Sequence, residues 1–276
     1  MMQITNTVKQ LIIINVLFFI GTYVVGTHVA YDILALHTPT STDFQPWQFV
    51  TYMFMHGGIQ HILFNMLGLW MFGSPLEHFW GTKKFLFFYF SCGIGAALLH
   101  LGINHFEMQS LLDSAQGLNL SETAIRKIIN IDSTNGDVID TEKFKQAALA
   151  ILQESGKLQY LQQNPGALQS LFDASMLNQS PMLGASGALY GLIVAFAFMF
   201  PNAELMMIFL PIPIKAKYFV PLLLLGDLLL GLKGQSIFGS QGDDGVAHFA
   251  HLGGALIGFI MMWYWKKNQF NHNRWN

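Results

Sequence analysis

A serine stands among small residues in "LGASGALYG", Leu183 to Gly191, at the head of a long apolar run. A serine hydroxyl is a weak nucleophile until a neighbouring base takes its proton. Candidate bases occur further along, in "VAHFAHLGGALIG", which carries His248 and His251. Acyl transfer also needs donors aimed at the oxyanion that forms in the transition state. The stretch "HGGIQHILFNMLGLW" supplies them: His61 and Asn65 are four apart and share a helix face, with His56 just ahead. The backbone N–H of Ser186 is a further donor. Together these residues suit acyl transfer, with Ser186 as nucleophile, a histidine as general base, and His61 and Asn65 holding the oxyanion. Each also has a plainer reading. A serine beside glycines in an apolar helix is ordinarily packing, and histidines near a membrane surface are ordinarily solvated or bonded to carbonyls. The set His56, His61, His248 and His251 has the chemistry to hold a metal, although no metal or other cofactor is expected. Soluble hydrolases present their serine in G-x-S-x-G on a strand-to-helix turn. "GASGA" lacks the last glycine and the strand, which excludes an α/β-hydrolase.

The elements that must carry these residues are apolar helices. The chain of 276 residues is 52% hydrophobic and only 11% charged, where an ordinary soluble domain is about a quarter charged. Nine of its acids and five of its bases fall between Glu107 and Asp173, which leaves the remainder nearly bare. Six segments approach the roughly 20 apolar residues of a membrane span: 11–29, 59–79, 85–103, 183–200, 218–232 and 246–265. The first follows Lys9 and has no small-residue cleavage site after it, so it is expected to be a retained helix and not a signal peptide. With a cytoplasmic N-terminus, the inner side collects Lys9, Lys83, Lys84, Lys215, Lys217, Lys266, Lys267 and Arg274, against only Lys233 in the short outer loops. The five bases of the long 107–173 segment are left out, because long loops translocate largely regardless of charge. That bias sets the orientation and leaves both termini in the cytoplasm. There is no basic stripe for nucleic acid, and the single cysteine, Cys92, excludes an internal disulfide.

Spans two, four and six then all begin on the outer side. At 1.5 Å per residue, His61, Ser186 and His251 fall in one layer, roughly 5–10 Å below the outer surface. Gly254 and Gly258 form a G-x-x-x-G on the stripe of His251, where a partner helix approaches closely. That stripe selects His251 over His248 as the base. His248 lies one turn nearer the surface and is expected to be hydrated or bonded to the loop before span six. The polar segment divides the chain into residues 1–106, an outside helical module at 107–181, and residues 182–276. Within the module, Ser121 and Thr141 are expected N-caps and Gly156 a helix stop. "DSTNGD" tempts a calcium-loop reading, but its acids and glycine miss the required positions, so a turn is expected. "PNAELMMIFLPIPIKAK" is proline-broken and is expected to lie along the inner interface.

Taken together, "HGGIQHILFNMLGLWMFGSPLEHFWG" (56–81), "GASGALYG" (184–191) and "AHLGGALIG" (250–258) resemble the rhomboid family of intramembrane serine proteases. Each motif is weak alone, but the three in this order are specific. The resemblance implies an all-α polytopic membrane protein, a six-transmembrane-helix bundle, here with a small extramembrane helical insert. It implies a serine endopeptidase of the bacterial inner membrane that cleaves transmembrane protein substrates near the outer face of the lipid bilayer. In it Ser186 is the nucleophile and His251 the base, with no third acidic member, and His61 and Asn65 are the oxyanion donors. His56 supports the outer loop, Tyr190 packs on the His251 ring, and Glu77 bonds near the inner ends. A loop near 234–246 acts as a cap over a water-filled cavity. Many members carry Trp-Arg in the first outer loop where this chain has Trp47-Gln48, which leaves that arginine's role open. The alternative is a non-catalytic relative that binds membrane helices, but such a relative would be expected to lack the serine or the histidine. A transporter is disfavoured, since no half-sequence repeats.

Overall fold

All six apolar segments are helical in the computed structural model, which describes residues 3–135, 138–207, 210–233 and 246–268. In chain order the helices and strands are α1 (Asn6–Val25), α2 (Thr27–Leu34), α3 (Gln48–Thr51), α4 (Ile59–Gly68), α5 (Ser74–Trp80), α6 (Thr82–Ser114) and α7 (Glu122–Ile129), then β1 (Thr134–Asn135) and β2 (Val138–Ile139). There follow α8 (Thr141–Glu154), α9 (Leu158–Gln163), α10 (Gly166–Gln179), α11 (Ser186–Met199), β3 (Glu204–Met207), β4 (Leu210–Lys215), α12 (Ala216–Lys233) and α13 (Val246–Asn268). A π-helical turn at Leu69–Gly73 joins α4 to α5, so the second apolar segment is nearly one rod. The architecture is largely helical. Among the described residues, α1 and α6 are long and apolar enough to cross a bilayer on their own. Along α1, Leu17, Ile20, Val24 and Val25 are exposed, an apolar surface that suits lipid and not water. The loop expected to cap the site, near 234–246, lies almost wholly outside the described residues.

The chain divides into two compact units, one of residues 1–36, 46–100 and 182–276, the other of residues 37–45 and 101–181. In the first, Tyr52, Phe85, Phe88 and Tyr89 are fully buried. Helix ends there are satisfied by distant side chains. The carboxylate of Glu77 accepts from the backbone N–H groups of Thr7 and Val8 at 3.1 and 3.0 Å, and from the hydroxyls of Thr5 and Thr82. A negative group is thereby placed on the unpaired N–H groups that open α1, where the helix dipole favours it. At the other end, Gln48 is fully buried and its amide donates to the carbonyl of Asp32 at 3.1 Å, while Trp47 Nε1 donates to that of Ile33 at 2.8 Å. The Trp-Gln pair therefore closes the last turn of α2, so an arginine is not needed for that task.

The second unit has its own core, with Leu118, Ile128, Phe144, Ala148, Leu152 and Leu171 buried together. Ser121 caps α7 as expected, accepting from the Ala124 N–H at 3.2 Å. The cap of α8 is Asp140 and not Thr141, because its carboxylate accepts from the Lys143 N–H at 2.9 Å. Gly156 ends α8 at φ +69, and Gly156 and Lys157 donate back to Gln153 and Leu152 at 3.0 and 2.9 Å. These two bonds make a Schellman stop, whose left-handed residue favours glycine. Beside the β1–β2 pair, the Lys143 ammonium lies 2.9 Å from Asp132 Oδ2 and 2.9 Å from the Thr134 carbonyl. In the first unit, the stretch expected only to lie along the interface forms an antiparallel pair, Glu204 opposite Lys215 and Leu205 opposite Ile214. Its prolines are tolerated because both strands of a two-stranded ribbon are edges.

Candidate active site

The position of Ser186 is set by a break in the backbone. Gly184 adopts φ +116, and its N–H donates to the Tyr52 carbonyl at 2.9 Å. A side chain there would be strained, and its first carbon would lie 2.6 Å from His61 Nε2. Glycine is therefore required twice over, by conformation and by space. After this turn α11 begins at Ser186 itself, three residues later than the apolar run. Ser186 thus stands at the helix N-terminus, where backbone N–H groups are unpaired and the dipole favours negative charge.

His251 is brought to Ser186 by close packing of two helices. A carbon added at Gly254 would overlap the Gly187 carbonyl, whose carbon lies 2.6 Å away, and one at Gly258 would lie 2.8 Å from Gly191 Cα. α11 and α13 therefore meet backbone to backbone, and no side chain intervenes at the crossing. One turn before Gly254, His251 Nε2 lies 2.9 Å from Ser186 Oγ, an ordinary hydrogen-bond length. The Tyr190 ring stacks on the His251 imidazole at 4.3 Å between centroids and 8° between planes. The structure thus brings Ser186, His251 and Tyr190 together.

His61 and Asn65, the expected donors, are less uniformly placed. His61 Nε2 and Ser186 Oγ lie 2.6 and 3.7 Å from the point a Gly184 side-chain carbon would occupy, so they border one small space. The Asn65 amide instead donates to the His61 carbonyl at 3.1 Å, turned back along its own helix. His56 is buried, with its ring 5.0 Å from that of His61, and its carbonyl accepts from the Tyr31 hydroxyl at 3.3 Å. Burial, and then the neighbouring His61, push the His56 imidazole down to about 3, so it is neutral at physiological pH.

One residue was missed. Asp227 on α12 is buried, and its Oδ1 lies 2.6 Å from His248 Nδ1 while its Oδ2 lies 3.4 Å from His251 Nδ1. The sequence did carry a signal, since "LLLLGDLLLG" sets one acid in the middle of an apolar segment, and such a residue is a functional candidate by default. His248 is likewise buried on this carboxylate, where hydration or loop bonding had been expected. Its turn of α13 faces α12 and not solvent. The metal-competent group among the described residues is accordingly Asp227, His248 and His251, with ligand atoms within 4.8 Å of one another, and not the four histidines. The hydrogen-bonded reading fits better. Two ligands of one tetrahedral zinc lie about 3.4 Å apart at ordinary bond lengths, and His248 and Asp227 approach far closer than that.

The Rhomboid domain family model matches residues 43–115 and 154–268. The chain belongs to the rhomboid family. It is a rhomboid membrane protein whose matched regions include His56, His61, Asn65, Ser186, Asp227, His248 and His251 and leave 1–42, 116–153 and 269–276 unmatched. It is 25% identical over 229 residues to an uncharacterised mitochondrial rhomboid protein of Schizosaccharomyces pombe, covering 80% of this chain and 52% of that protein. To the mitochondrial RHOMBOID-like protein 12 of Arabidopsis thaliana it is 24% identical over 221 residues, 80% of this chain and 47% of the other. A shorter stretch is 36% identical over 52 residues to the rhomboid protease GluP of Bacillus subtilis, 19% of this chain and 10% of that one. The chain thus spans about half the length of the longest-matched of these relatives.

Proposed function

We propose that this rhomboid is an intramembrane serine endopeptidase that cuts membrane-anchored proteins. The observation that carries the reading is the 2.9 Å contact of His251 Nε2 with Ser186 Oγ at the start of α11. In the reaction Ser186 Oγ attacks the scissile carbonyl carbon as its proton passes to His251 Nε2. The oxyanion forms beside the Ser186 N–H and His61, with Asn65 joining if its amide turns from the His61 carbonyl. Collapse of the intermediate breaks the C–N bond, and the proton on Nε2 goes to the leaving amine. Water then hydrolyses the acyl-enzyme by the same path. Tyr190 keeps the imidazole plane fixed throughout. Within this reading the six apolar helices span the bilayer and both termini are cytoplasmic. The helical insert at 107–181 lies outside and influences which substrates reach the site. Since a helix must unwind before its peptide bond can be attacked, substrates with helix-breaking residues near the outer face are favoured. The test is fluorophosphonate labelling of the purified protein together with cleavage of a generic transmembrane substrate in liposomes. Wild type should do both, and Ser186→Ala neither, with an unchanged melting temperature. Labelling that persists in Ser186→Ala would refute the assignment.

A further inference from the structure

Among the described residues, buried His251 Nδ1 and Asp227 Oδ2 make no well-aligned hydrogen bond, and they lie 3.4 Å apart. Buried polar atoms are nearly always paired in folded proteins, and contacts in a resting active site are often long until substrate arrives. A closure of about half an ångström would make this a charge-assisted bond of normal length. The carboxylate is not free to turn away, because His248 Nδ1 holds Oδ1 at 2.6 Å. Tyr190 stacks on the His251 ring and restricts its plane.

We infer that Asp227, held by His248, is a positioning residue that fixes the His251 imidazole for proton transfer from Ser186. The inference rests on the protease reading above. With Asp227 accepting at Nδ1, the ring proton sits on Nδ1 and the Nε2 lone pair points at Ser186 Oγ. When Oγ bonds to the substrate carbon its proton moves to Nε2, and the carboxylate stabilises the resulting imidazolium. That proton leaves on the amine when the C–N bond breaks. Asp227 stays ionised throughout and no proton crosses to it. This adds a third member to a serine–histidine pair for which the family resemblance implies none.

A purely structural role would be a polar tie between α12 and α13. Asp227→Asn separates the two, because its amide oxygen can still accept from His248 while the charge facing His251 is gone. In the full chain in liposomes, kcat should fall about 10- to 150-fold, as expected for one hydrogen bond to a charged group. KM should change less than about twofold, and fluorophosphonate labelling should slow in parallel. An Asp227→Asn protein with wild-type melting temperature and wild-type kcat would overturn the inference. Where the variant does not fold, nitrogen-15 NMR of histidine-labelled wild type decides: Nδ1-protonated His251 is expected, and the Nε2-protonated form would overturn it. Failure of the underlying reading is separately visible, since wild type itself would then neither label nor cleave.

Discussion

Gly254 tests whether the α11–α13 crossing creates the site. In Gly254→Ala the new carbon would sit 2.6 Å from the Gly187 carbonyl carbon and 3.2 Å from its Cα, and it would overlap the carbonyl oxygen. Carbon atoms rest at about 3.5–4.0 Å, and both opposing groups are backbone, so no rotamer change relieves the clash. The helices must part by about 1 Å. One turn away, the contact of His251 Nε2 with Ser186 Oγ would open from 2.9 Å toward about 4 Å, beyond hydrogen-bond reach. A misplacement of 1 Å costs on the order of 100-fold in rate, and overpacking costs about 1–3 kcal/mol of stability. The control is Gly21→Ala on α1, where an added carbon meets nothing within 4 Å. It should keep full activity and gain up to about 1 kcal/mol, since alanine favours helix over glycine. The assay is kcat on a transmembrane substrate with the melting temperature measured in parallel. Gly254→Ala with activity equal to Gly21→Ala would mean that the close crossing does not set the dyad distance.

The two expected oxyanion donors should separate in effect. His61→Ala should lower kcat about 100- to 1,000-fold, and Asn65→Ala should lower it less, because the Asn65 amide is engaged by the His61 carbonyl in the resting structure; equal losses would contradict this ordering. In the insert, hydrogen bonds from the Thr134 hydroxyl and N–H, and then Lys143, hold the Asp132 carboxyl below its ordinary range. A depressed folded value means that this stability is present above the unfolded value, about 3.9, and is lost as pH falls below it. Thermal unfolding of the insert should therefore shift to lower temperature as pH falls from about 4 toward 2 in wild type, and Asp132→Asn should flatten that acid limb; an unchanged limb would remove Asp132 from the account.

Much of this site was legible because membrane residence leaves few reasons for polar residues in apolar helices. Ser186, His251, His61 and the Gly254–Gly258 stripe each broke an apolar pattern at helical spacing. The crossing that joins them followed from the small residues. What spacing could not give was the start of α11, which depends on the left-handed turn at Gly184 and on the carbonyl of Tyr52, far away in sequence. The orientation of Asn65 was equally hidden, because a side-chain amide can choose between the site and the carbonyl one turn back. The N-cap of α8 moved by one residue for a similar local reason. Asp140 and Thr141 are both competent, and the carboxylate reaches the Lys143 N–H.

Asp227 was missed for a different reason, and it changes how the two histidines of α13 are understood. Two histidines three residues apart look like rivals for one role when only their own helix is considered. Depth and the glycine stripe then choose His251 and leave His248 without a task. The neighbouring helix supplies that task, because a single carboxylate in apolar surroundings needs partners for both of its oxygens. His248 takes one oxygen at 2.6 Å and leaves the other aimed at His251. Their spacing on α13 then has a physical cause: residues three apart share a face, so one carboxylate on α12 can reach both rings. The pattern "H-x-x-H" with a lone acid in the preceding apolar segment is thus a readable signature of this arrangement in any chain that keeps the α12–α13 packing.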